Sequence, residues 1–141
     1  MVIREARSRE ELVAALALRR RVFYEEQGIR PEADQDGRDD EAMHVVAVEE
    51  GALVGTCRLV MVGDVAMLGR LAVERSGRRH GVGRAVLEEA ERAARAAGAR
   101  RVALHAQLPV KNFYEQSGYT TYGEVFMEEG IDHVAMEKRF A

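Results

Sequence analysis

The sequence predicts an α/β (α+β) fold in which a central mixed, mostly antiparallel sheet carries helices on both faces, in the order βαβββαβαββ. Three observations predict it. The β-branched runs His44–Val48, Leu53–Val62 and Val65–Val73 are separated only by Glu49-Glu50-Gly51-Ala52 and Gly63-Asp64, spacers short enough for antiparallel pairing. A long amphipathic stretch, Gly81–Ala97, then separates these strands from another, Arg101–Ala106. Finally, 141 residues with 47% hydrophobic and 32% charged content suit one globular domain spanning residues 1–141.

Each element has a local cause. Val2–Ala6 alternates as a first strand does, and Ser8-Arg9-Glu10-Glu11 is a capping-box pattern, with Ser8 and Glu11 each expected to satisfy the other's backbone donor. The first helix follows, its apolar face expected at Leu12, Ala15, Leu16, Val22 and Phe23. Between Gly28 and Glu41 the chain loses apolar residues and gains Gly, Pro and acids, the composition of a loop. In the helix Gly81–Ala97, Glu88, Glu89, Arg92 and Arg95 form the outer face and Val82, Val86, Ala90, Ala93 and Ala97 the inner one, with Gly98 placed to end it. Pro109 opens a short helix that Gly118 stops, and Glu124–Met127 and His133–Arg139 form a terminal pair of strands.

Composition excludes several classes. No 18-residue apolar run exists, and the N-terminus lacks the apolar stretch of a signal peptide, so a cytoplasmic protein without membrane contact is expected. A net charge of −3 argues against a nucleic-acid partner despite the basic cluster between Arg75 and Arg84. Four histidines without paired ligand spacing give no metal signature, and the single cysteine, Cys57, is expected to be a buried, inert thiol. The acidic loop from Glu32 to Asp40 invites a calcium reading with Gly37 as the invariant glycine, but the required bidentate Glu falls on Met43. That loop is either a solvated acidic segment or a device that attracts a cationic substrate.

The run Arg78-Arg79-His80-Gly81-Val82-Gly83 carries the chemistry, because it joins a strand to a helix start. The first four N–H groups of a helix have no intrahelical partner and the aligned peptide dipoles add partial positive charge, so a pyrophosphate suits the position. Gly81 and Gly83 allow close approach to the main chain, while Arg78, Arg79, His80 and Arg84 add charge. Two familiar phosphate loops are excluded. A dinucleotide fingerprint needs Gly or Ala where the chain has Val86, and a P-loop beginning at Gly77 needs Gly-Lys where it reads Val82-Gly83.

The remaining pattern, Arg/Gln-x-x-Gly-x-Gly/Ala after Leu71-Ala72-Val73, resembles the acetyl-CoA loop of the GCN5-related N-acetyltransferase (GNAT) superfamily. Asn112-Phe113-Tyr114-Glu115-Gln116-Ser117-Gly118-Tyr119 is similar to that superfamily's second signature, Phe-Tyr-x-x-x-Gly-Phe/Tyr. Val22–Gln27, His105-Ala106-Gln107 and Gly130–Met136 further resemble the small bacterial ElaA-like branch, which extends the likeness to nearly the whole chain. The predicted element order is also the GNAT arrangement.

The resemblance implies an N-acetyltransferase with acetyl-CoA as cosubstrate, no metal, and a small-molecule or protein primary amine as acceptor. It implies that Leu71, Ala72 and Val73 pair through their main chain with the pantetheine arm, and that Arg78, Arg79, His80, Gly81, Val82, Gly83 and Arg84 take the pyrophosphate. Gln107 and Asn112 are further candidates for the arm, and Tyr114 for the acid that serves the departing sulfur. No carboxylate stands at Ala66-Met67-Leu68, where some relatives carry a base. Glu26 is the candidate chosen, with His44, His105, Glu128 and His133 as alternatives. Arg58 is expected to pair with Glu26 or with an Asp of the loop. A homodimer through the C-terminal strands is implied as well. Two other classes remain open at this point: a GNAT-fold protein that binds acetyl-CoA without turnover, and a nucleotide-binding module using the basic loop alone.

Overall fold

A computed structural model describes residues 1–78 and 80–141, with the side chain of Ala33 left aside. Seven strands form one sheet, in the order β1-β2-β3-β4-β5-β7-β6. They are β1 (Val2–Glu5), β2 (Met43–Glu49), β3 (Ala52–Val62), β4 (Val65–Val73), β5 (Arg101–Gln107), β6 (Thr120–Glu128) and β7 (Ile131–Arg139). The helices are α1 (Arg9–Arg19), a single turn α2 (Pro31–Asp34), α3 (Val82–Ala96) and α4 (Lys111–Glu115). Every neighbouring pair of strands is antiparallel except β4 and β5.

The first helix departs from expectation in three ways. Ser8 caps it by accepting from the Glu11 amide at 3.2 Å, but the Glu11 carboxylate turns outward to the Arg7 amide and the Arg4 guanidinium instead of closing the box. Beyond Arg19 the coil widens into π-type turns over Arg20–Glu26. Its inner face is Ala15, Leu18, Arg19 and Val22, while Leu16 is exposed. Periodicity counts only apolar residues and so passed over Arg19, which faces inward because carboxylates wait there. The same bias misplaced Ala97, which is exposed at the end of α3, where the buried stripe is Val82, Val86, Leu87, Ala90 and Ala94. Gly98, at φ +92°, ends that helix, and the Ala99 amide donates back to the Ala94 carbonyl at 2.9 Å.

Two apolar clusters show helices on both faces. Leu18 of α1 and Val22 of its π-type extension pack on Ala72, whereas α3, α4 and the opposite side chains of β2 to β5 and β7 form the larger core. Gly55 sets how close α3 lies to the sheet. A Cβ there would stand 2.8 Å from a methyl of Val82 and 3.2 Å from one of Val86. We predict that Gly55→Val pushes α3 off the sheet and costs about 1–3 kcal/mol, read as a lower denaturation midpoint, because a close-packed interior has no room for added carbons. An unchanged midpoint would contradict this packing.

Candidate active site

The site begins where β4 and β5 part. Their register runs only from Val65 opposite Arg101 to Met67 opposite Ala103, and both strands then continue, to Val73 and Gln107, without pairing each other. A wedge follows along the β4 edge, where β5 no longer supplies a strand partner, at the carboxyl ends of two parallel strands, a common location for ligands. The divergence coincides with a bulge in β4. Thr56 pairs with Ala72 and Arg58 with Gly69, leaving Arg70 and Leu71 together opposite Cys57. Arg70 takes the left-handed conformation, φ +56°, which is costly for a residue with a Cβ.

The bulge is held by ions. Arg70 Nε donates to Asp34 Oδ1 at 2.7 Å, and its Nη2 to the Asp34 carbonyl at 3.1 Å. Asp34 also accepts from Arg19 Nη2 at 2.7 Å and from the Tyr24 hydroxyl at 2.7 Å. Arg58 joins Asp36 and Asp39, and Asp39 in turn binds Arg19 at 2.9 Å. His44 Nε2 faces the Asp39 carbonyl at 3.0 Å. Of the two expected partners for Arg58, the structure selects loop aspartates and not Glu26. Arg19, Arg58 and Arg70 thereby balance Asp34, Asp36 and Asp39, so the centre of this loop is a neutral anchor and its power to attract a cation is much reduced.

Burial alone would raise the Asp34 and Asp39 carboxyls, and hydrogen bonds led by Arg19 more than reverse it, leaving both below the usual range. The Arg58 hydrogen bond lowers Asp36 further still.

The phosphate loop lies at the open end of the wedge. Gly81 adopts φ +83° as the residue before α3, and no side chain caps that helix among the described residues. A Cβ on Gly81 would meet nothing, whereas one on Gly83 would stand 3.4 Å from the Phe113 ring and 3.5 Å from Val73. So Gly81 is required by its conformation, whereas at Gly83 a Cβ would make only ordinary contacts with Phe113 and Val73. Arg78 Nε donates to the Val73 carbonyl at 3.1 Å, and its Nη2 lies 2.7 Å from Glu26 Oε1. Arg75 approaches the same oxygen at 3.6 Å. His80 is exposed and Arg84 pairs with Glu88 at 3.2 Å; Arg79 lies outside the described residues. An uncapped helix start beside a wedge that β5 leaves open fits a pyrophosphate joined to an extended arm.

Tyr114 sits in the core, 7% exposed, with edge-to-face contacts to Phe113 at 5.0 Å and Tyr119 at 5.8 Å. Burial, with a smaller contribution from Cys57, pushes its hydroxyl well above the ordinary tyrosine range. Cys57 is 1% exposed and its thiol is pushed up to about 12 by burial. Asn112 is exposed at the start of α4. Gln107, at the end of β5, donates from Nε2 to Gln27 Oε1 at 2.9 Å, joining the wedge wall to the end of the α1 extension.

The structure thus brings Leu71, Ala72, Val73, Arg78, Gly81, Val82, Gly83 and Gln107 around the wedge and the helix start. It places Glu26 against the phosphate loop, with Oε1 engaged by two guanidinium groups. Among the described residues no group of His, Cys, Asp and Glu could hold a metal, and no helix is long and apolar enough to cross a membrane.

Comparison with known proteins gives the family and the fold. Residues 5–140 match the model of the acetyltransferase (GNAT) domain. YyaT of Bacillus subtilis is 33% identical over 145 residues, covering 100% of this chain and 97% of YyaT. The crystal structure of Escherichia coli ElaA superposes with a TM-score of 0.87 at 27% identity, covering 98% of this chain and 99% of that one. An aminoglycoside 6'-N-acetyltransferase complexed with coenzyme A shares the fold, with a TM-score of 0.79 at 20% identity over 99% and 97% of the two chains. The chain is an acetyltransferase of the GNAT family. Within that superfamily it is an ElaA-like member.

Two predictions test the anchor. Arg19→Ala, which takes from buried Asp34 one of its two guanidinium partners while Arg70 and Tyr24 remain, is expected to cost roughly 2–3 kcal/mol in denaturant unfolding. Because the three aspartates titrate lower in the folded protein than in the unfolded chain, their stabilisation is complete above about pH 4. It is lost as pH falls below that value, so the melting temperature drops on acidification, and Asp36→Asn flattens the drop. A melting curve equally acid-sensitive in the variant would assign the effect to other groups.

Proposed function

We propose that the protein transfers the acetyl group of acetyl-CoA to a primary amine by direct attack in a ternary complex. The observation that carries this is the juxtaposition of the β4/β5 wedge with the uncapped start of α3. One offers main-chain partners to an extended arm and the other a seat for its pyrophosphate. The coenzyme A held by the aminoglycoside acetyltransferase of the same fold supports the choice of cosubstrate. When bound, acetyl-CoA supplies an activated thioester.

In this assignment Leu71, Ala72 and Val73 present main-chain groups to the arm, and the Val73 N–H polarises the acyl carbonyl. The amides of Val82, Gly83 and Arg84 bind the pyrophosphate, with Gly81 setting their direction and Arg78, Arg79 and His80 contributing charge. Glu26 orients Arg78 rather than acting as the base. Gln107 exchanges its bond to Gln27 for one to the arm, Asn112 lies at the opposite lip, and the buried Tyr114 hydroxyl donates to the departing sulfur. The acceptor is a small-molecule or protein amine, in the cytoplasm. A homodimer is proposed through β6, an outer strand on which Tyr122, Val125 and Met127 are exposed; light scattering measures it.

Calorimetry with acetyl-CoA, CoA and ADP, followed by an amine panel scored for thiol release, tests the assignment. CoA is expected to bind more tightly than ADP, and one amine class to release thiol. Equal affinity for CoA and ADP would show that the wedge holds no pantetheine. Tyr114→Phe removes only the hydroxyl and is expected to lower turnover about 10²-fold with acetyl-CoA affinity unchanged. Unaltered turnover would take Tyr114 out of the chemistry.

A further inference from the structure

The proposed reaction needs a group that removes a proton from the acceptor amine, and the sequence offers no carboxylate at the position some relatives use. Four histidines are present. His44 is 7% exposed and bound to the Asp39 carbonyl, and His133 is 7% exposed and bound to the Ile131 carbonyl at 2.7 Å. His80 belongs to the phosphate loop. His105 differs from all three, because its side chain is 46% exposed and it stands on the part of β5 that has separated from β4.

Strand alternation fixes its side. Leu104 and Ala106 point into the larger core that contains Tyr114, so His105 and Gln107 point to the opposite face. There, Gln107 meets Gln27 at the end of the α1 extension. His105 is also oriented. His105 lies in line with Ala135 of β7 and Tyr122 of β6, and Glu128, farther along β6, reaches it diagonally, with a carboxylate oxygen 3.3 Å from His105 Nδ1. A carboxylate accepts, so Nδ1 carries a hydrogen, and in the neutral ring Nε2 holds the lone pair. The edge of the Phe126 ring holds the imidazole, with centroids 5.0 Å apart at 77°. The other Glu128 oxygen lies 3.6 Å from Nε2 of His133, whose ring stacks on Phe126 at 5.9 Å. Glu128 is thus set between two imidazoles, one buried and one open to solvent.

We infer that His105 is the general base for the acceptor amine and that Glu128 positions it. The inference rests on the acetyltransferase assignment above. His105 Nε2 takes one proton from the ammonium form of the acceptor and passes it to solvent. The neutral nitrogen then forms the C–N bond, and the C–S bond breaks with its electron pair on sulfur. Sulfur takes the Tyr114 hydroxyl proton. The proton now surplus on nitrogen leaves to solvent, from which Tyr114 is restored. Acid and base stand on opposite faces of the sheet and cannot neutralise one another. The acceptor reaches the thioester from the open β5-β7-β6 face.

The test combines kinetics with spectroscopy of the purified full chain. His105→Ala is expected to lower kcat/KM about 10²-fold at unchanged acetyl-CoA affinity, and added imidazole to recover activity about tenfold, since a half-exposed site can admit it. Nitrogen-15 spectra of histidine side chains in the native protein are expected to show His105 with hydrogen on Nδ1. In Glu128→Ala, which removes the acceptor, that preference is lost and kcat/KM for acetylation falls about tenfold at unchanged acetyl-CoA affinity, a loss of rate that a merely structural contact on an exposed strand would not produce. Full activity of His105→Ala in a protein that does acetylate amines would overturn the base assignment alone. Absence of thiol release by the native protein with every amine tested would remove the acetyltransferase assignment and this one with it. Hydrogen on Nε2 of His105 would overturn the role given to Glu128.

Discussion

Two parallel strands that stop pairing after three residues define this molecule. The separation of β4 from β5 leaves the β4 edge without a strand partner in the middle of a sheet, a position where main-chain donors and acceptors are ordinarily consumed. The break is held by the left-handed turn at Arg70. The Arg70 side chain is tied there by two hydrogen bonds to Asp34. Asp34 is fixed in turn by Arg19 and Tyr24, so the wedge depends on a charged network reaching from α1 through the acidic loop to β3 and β4. Buried ion pairs contribute little net stability once desolvation is counted. What the structure shows them doing is tying β4 to the acidic loop and to α1.

The parts of the site that lie in continuous sequence were legible. A helix start after a strand, with glycines at its first turn, has a sequence signature because backbone conformation demands particular residues. Gly81 meets that demand with its positive φ. The order of strands and helices was equally readable, since period-two and helical patterns are local. The short second signature located α4 and Tyr114 for the same reason.

What sequence hid was pairing across distance. Nothing in the neighbourhood of Arg19 shows that it points inward, and the acids that receive it read as a solvated loop. Glu26 was expected as one of two partners for Arg58, and its actual partner, Arg78, is remote in sequence. The contact between His105 and Glu128 runs diagonally across three strands, and the bulge between Tyr122 and Phe126 shifts the register there. A weak signal was present in the alternation of β5, which places His105 and Gln107 on one face.

The sheet also explains the state of Cys57. The bulge sets Arg70 and Leu71 opposite this residue, whose sulfur lies in the core beside Tyr114, closed to solvent and held as the neutral thiol. It is the chain's single cysteine. Colorimetric thiol reagents therefore meet only liberated coenzyme while the fold is intact, free of background from the protein. Any slow labelling of the protein itself measures a distinct quantity: the frequency with which the sheet opens beneath the wedge. The residue is a native reporter of breathing at the place where the cosubstrate is expected to insert, and saturating ligand should slow its modification in proportion to binding.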